Sequence, residues 1–66
     1  MYKTFVYWEL LFGDGPENEC QTYQEAFDWA AVEISKKKGW NPHAFIYHGN
    51  QIWWIDENLN IKTTEY

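Results

Sequence analysis

The stretch "IYHGNQIWWID", residues 46–56, reads as a β-hairpin with apolar side chains on both of its surfaces. With Gly49 and Asn50 at the tip of a two-residue turn, Ile52 falls opposite Tyr47 and Trp54 opposite Phe45. Trp53 then faces Ile46 across the other surface, because successive side chains of a strand alternate. A sheet with one wet face carries polar residues at every second position. This hairpin does not, and its two strands, expected at 44–48 and 51–55, predict a sheet that is greasy on both sides.

Residues 2–12 are β-branched and aromatic and predict a first strand. One face would carry Tyr2, Thr4, Val6, Trp8, Leu10 and Phe12, the other Lys3, Phe5, Tyr7, Glu9 and Leu11. "GDGPENE", residues 13–19, reads as a loop. "TYQE", residues 22–25, is a capping box, with Thr22 as N-cap and Glu25 three residues on. It starts a helix at Tyr23 that should run to about Lys38, where three lysines complement the helix dipole, Gly39 can take the left-handed position and Pro42 lies beyond. Tyr23, Ala26, Phe27, Ala30, Ala31 and Ile34 form one apolar stripe, and its alanines let the helix sit close to a sheet. Trp29 and Val32 fall outside it, beside Glu25 and Lys36. "DEN", residues 56–58, makes a turn, and "LNIKTTEY", residues 59–66, reads as a fourth, edge strand on which Lys62 discourages further pairing. The expected architecture is a single α+β domain, 1–66, of order β-α-β-β-β: one helix packed on one face of a mainly antiparallel three- to four-stranded sheet.

A helix of this length is only about 24 Å long and covers one sheet face. The other face should therefore display aromatic surface unless a partner protein or a second copy buries it. The preferred packing puts Phe45, Tyr47, Ile52 and Trp54 inside. That leaves Trp53, Tyr7 and Ile46 outside, with Trp29 on the back of the helix, as the expected protein interface, framed by the carboxylates of Glu25, Asp56 and Glu57.

Composition narrows the function. Ten acidic residues against five lysines and no arginine give a net charge of -5 in 66 residues. Such a chain lacks the cations that neutralise phosphates and read guanine, so nucleic acid is not an expected partner; a protein with a basic surface, including one that normally holds nucleic acid, is. Cys20 stands alone, which excludes an internal disulfide and fits a reducing cytoplasm. No signal-peptide pattern or membrane span is present. His43 and His48, five apart on a strand, point to opposite faces and share no metal. Asp14, Glu17 and Glu19 lack calcium-loop spacing, and Asp56 and Glu57 are adjacent in a turn rather than paired across a pocket. With no phosphate cradle or nucleophile elbow either, no cofactor and no catalysis are expected.

The expected function is that of a small non-catalytic acidic protein-binding module that blocks a partner's surface. In length, acidity and lack of arginine the chain resembles, as a class and through no shared motif, the small proteins with which bacteriophages block host enzymes or defence systems, anti-CRISPR proteins among them. That resemblance implies an inhibitor acting in the host cytoplasm. The alternative is a homo-oligomeric assembly protein that buries its aromatic sheet face in a homodimer.

Overall fold

The computed structural model describes residues 1–11 and 15–65. Its elements are β1 (Tyr2–Tyr7), β2 (Glu17–Cys20), α1 (Tyr23–Lys36), β3 (His43–His48), β4 (Gln51–Ile55) and β5 (Ile61–Glu65). The strands form one sheet of order β2-β1-β3-β4-β5, with every neighbouring pair antiparallel. The architecture is α+β, one helix against a sheet, with five strands in place of the three to four expected.

The additional strand is β2, drawn from the stretch read as a loop. Its sequence, ENEC, has no β-branched or aromatic residue and carries no strand signal of its own; it forms because β1 offers a free ladder, pairing Tyr2 with Cys20 and Phe5 with Glu17. Gly15 admits this approach. A Cβ there would lie against the Val6 carbonyl oxygen, and beside it the Val6 N–H donates to the Pro16 carbonyl at 3.1 Å. Conversely, β1 stops at Tyr7 instead of continuing to residue 12. Leu10 takes a left-handed φ of 67° and the Leu11 N–H turns back to the Trp8 carbonyl, which ends the extended chain. Phe12, Gly13, Asp14 and Tyr66 lie outside the described residues.

The hairpin has the register derived from its turn: Tyr47 opposite Ile52, Ile46 opposite Trp53, Phe45 opposite Trp54. Gly49, the first turn residue, has φ 61°, a conformation open to glycine without steric penalty. The helix starts at Tyr23, and the Glu25 N–H donates to the Thr22 hydroxyl at 3.2 Å; the hydroxyl in turn donates to the Glu25 carboxylate. It ends at Lys36, two residues earlier than expected, with Lys37 as C-cap and Gly39 at φ 96°.

Helix α1 lies over β2, β1 and β3. Between them Thr4, Val6, Cys20, Ala26, Ala30, Ile34, Ala44 and Ile46 are buried, joined by Ile55 of β4 and flanked by Tyr2, Trp8, Tyr23, Phe27, Trp29 and Trp53. This reverses the face assignment expected for the hairpin. Ile46, 0% exposed, and Trp53 stand on the helix-covered face, while Phe45, Tyr47, Ile52 and Trp54 stand on the other. The reason is steric: a helix seated close through Ala26 and Ala30 needs small or branched side chains below it, and Thr4, Val6, Ala44 and Ile46 share one face. Trp29 also departs from expectation. From the flank of the stripe its long side chain reaches back to the core cluster, leaving Val32 as the exposed apolar residue of the helix.

Candidate functional site: the uncovered sheet face

Strand pairing sorts the outer face into rows that run across the sheet. The first is Glu19, Lys3, Tyr47, Ile52 and Thr64; the second is Glu17, Phe5, Phe45, Trp54 and Lys62; a third begins with Tyr7 and His43. The second row carries a carboxylate at one edge, an ammonium at the other and three rings between.

The rings lock edge to face. Phe45 meets Trp54 at a centroid distance of 4.5 Å and Tyr7 at 5.5 Å, and Phe5 meets Tyr47 at 5.5 Å, all with interplanar angles between 63° and 80°. Such contacts contribute roughly 0.5–1.5 kcal/mol each beyond area burial and fix the rings in place. This mutual cover explains why Ile52 is buried and Phe5, Phe45 and Tyr47 are half-buried on a face that no helix or strand among the described residues overlies. Trp54 and Tyr7 stay 43% and 37% exposed. Fixed, amphipathic rings of this kind offer contact area at little further entropic loss, the property that favours Trp and Tyr in interfaces.

Two hollows bracket the rings. One of about 380 Å³ opens at the β2 edge among Lys3, Phe5, Glu17, Asn18 and Glu19. The other, of about 260 Å³, opens near β5 among His43, Phe45, Trp54, Asp56, Asn60 and Lys62. Neither joins a nucleophile to a base, and among the described residues no group of three or more His, Cys, Asp or Glu could hold a metal ion. His43 and His48 stand on opposite faces, His43 beside Tyr7 and His48 stacked on Tyr2 at 3.9 Å.

The titratable groups with displaced pKa values do structural work. The backbone N–H of Asn60 does most to hold the Asp56 carboxyl below its ordinary value; desolvation opposes it, and the Asn60 side chain, the Asn58 N–H and the nearby Lys62 charge add to the lowering. That carboxylate organises the β4–β5 turn, its Oδ1 accepting from Asn58 and Asn60 at 2.9 Å each. Burial, with the Glu25 carboxylate second, pushes the Cys20 thiol up, and burial raises Tyr23.

Of the residues expected at the interface, only Tyr7 lies on the uncovered face. Ile46 and Trp53 lie beneath the helix and Trp29 packs on the core. Glu25 completes the helix cap, Asp56 holds its turn, and Glu57 accepts from the Gly39 N–H at 2.6 Å, tying that turn to the chain after α1. Phe5, Phe45, Tyr47 and Trp54 were missed as surface residues. Their signal lay in the size contrast within β3, where Ala44 and Ile46 alternate with Phe45 and Tyr47.

Fold and site together define a small acidic α+β protein with a bare, pre-organised aromatic sheet face. The chain matches no family model, no curated protein and no solved structure. No helix among the described residues is long and apolar enough to cross a membrane.

Proposed function

We propose that this chain is a non-catalytic protein-binding module whose working surface is the uncovered sheet face. The observation that carries the reading is the row of Phe5, Phe45 and Trp54, with Phe45 locked on Trp54 and Phe5 on the neighbouring Tyr47, on the face opposite α1 and ended by charges of opposite sign. A module of this kind acts by occupying a surface, so an inhibitory role follows from steric exclusion and needs no reactive group. The acidic balance, ten carboxylates against five lysines, favours partners with basic surroundings and suppresses non-specific nucleic-acid binding. Action in a reducing cytoplasm agrees with one buried, unpaired cysteine.

The test compares the parent chain with Trp54→Lys, each immobilised and exposed to lysate of the expressing cell and to the soluble chain itself. A protein held by the parent and lost from the variant supports the reading. Identical retention by both, with the variant folded by circular dichroism, overturns it.

A further inference from the structure

We infer that the occupant of this face is a second copy of the chain, turned over about a two-fold axis that runs along β3, so that Lys62 of each copy enters the hollow beside Glu17 and Glu19 of the other. This rests on the reading that the face binds protein, and it adds the partner and the geometry. Strand β3 is the middle strand of the order β2-β1-β3-β4-β5. A two-fold axis lying along it in the plane between two facing sheets keeps the strand direction and reverses the strand order. The β2 edge of one copy then lies over the β5 edge of the other. In the second row Phe45 meets Phe45, Phe5 meets Trp54, and Glu17 meets Lys62, twice by symmetry. In the first row Lys3 falls over Ile52, where its methylene stem can lie on apolar surface with the ammonium in water.

The alternative axis, across the strands, would set β2 on β2 and bring Glu17 and Glu19 against their own copies. Like charges so placed disfavour it. The hollows agree with the first axis: the one at the β2 edge is lined by both carboxylates, and Lys62 borders the other, on the opposite side of the rings. Aligned sheets pack about 10 Å apart and turned by about 30°, which moves a strand two spacings from the axis by about 5 Å, within the reach of a lysine side chain. The net charge of -5 opposes association weakly, because Glu25, Asp28 and Glu33 sit on the helix layer behind the sheet, beyond a Debye length of about 8–10 Å. The protein measures 29 × 21 × 19 Å, so the contact footprint is at most about 600 Å² per copy, at the small end of specific interfaces. Association is therefore expected at about micromolar concentrations rather than nanomolar.

The test is sedimentation equilibrium of the full chain, the charge-swapped variants Glu17→Lys and Lys62→Glu, and their double variant, with disulfide trapping between Glu17→Cys and Lys62→Cys chains. Each single swap is expected to weaken dimerisation by about tenfold, since it turns two symmetric attractions into repulsions. The double swap should restore the parent value to within about threefold, and the mixed cysteine chains should trap each other while Glu17→Cys alone does not trap itself. A monomer at all concentrations, with the retention test still positive, overturns the second copy and keeps the protein-binding reading. A dimer that Trp54→Lys leaves intact overturns the second copy on this face, and the protein-binding reading falls with it only if the retention test is also unchanged by the variant. A dimer trapped through Glu17→Cys alone overturns the axis.

Discussion

Trp53 and Trp54 are neighbours in sequence and face opposite ways, so truncating each reports which side of the sheet is core. Trp53 packs on the core cluster with its ring 5.1 Å from Tyr23 and 6.0 Å from Tyr2. Removing it takes away most of a burial of roughly 150–250 Å², at about 25 cal/mol per Å², together with two ring contacts, and leaves a void beneath the helix end. Trp53→Ala should therefore lose about 3–4 kcal/mol, most of what a domain of this size possesses. Trp54 is 43% exposed and packs its ring on Phe45. The gap left by Trp54→Ala opens to water rather than to a cavity, and its loss should stay below about 2 kcal/mol. Urea unfolding followed by far-ultraviolet circular dichroism in a long-path cell, at protein concentrations well below micromolar to keep copies apart, measures both. Equal losses, or a larger loss for Trp54→Ala, would refute the assignment of the faces.

Other expectations follow from single residues. Thr4 is fully buried and its hydroxyl has no hydrogen-bond partner among the described residues; Thr4→Val should add about 1–2 kcal/mol and raise the melting midpoint by about 5–10 °C, and a lower midpoint would show that the hydroxyl is satisfied. Gly15→Ala should destabilise by about 1–3 kcal/mol by forcing the chain before β2 away from Val6, with amide exchange accelerating first in β2; unchanged exchange there would contradict the close approach. Asp56 has a folded pKa below its ordinary value of 3.8, so its contribution is present above that value and fades as pH falls through the folded one. The stability gap between the parent and Asp56→Ala should thus be constant from neutral pH down to about 5 and shrink below about 4; a gap that widens in acid would reverse the sign of the interaction.

How far the sequence could be read depended on the range of the interactions involved. The hairpin register and the Thr22 cap are local, settled within a few residues of Gly49-Asn50 and of "TYQE", and both are visible in the sequence. Strand β2 was not, because its polar residues pair only where β1 leaves an edge and Gly15 permits contact. The choice of sheet face also escaped, since both faces of the hairpin are equally apolar. It follows from a match between distant segments, Ala26 and Ala30 of the helix against Thr4, Val6 and Ala44 of the sheet. Reading side-chain size as well as polarity would have placed Phe5, Phe45, Tyr47 and Trp54 outside.

The most direct measurement is a series of nitrogen–proton correlation spectra of the chain recorded as its concentration rises. Shifts concentrated at Phe5, Phe45, Tyr47 and the Trp54 indole, with Ala30 and Ile34 unmoved, are the result expected if the uncovered face binds a second copy. Shifts confined to the outer helix surface around Asp28 and Val32, or none up to millimolar concentration, would contradict it.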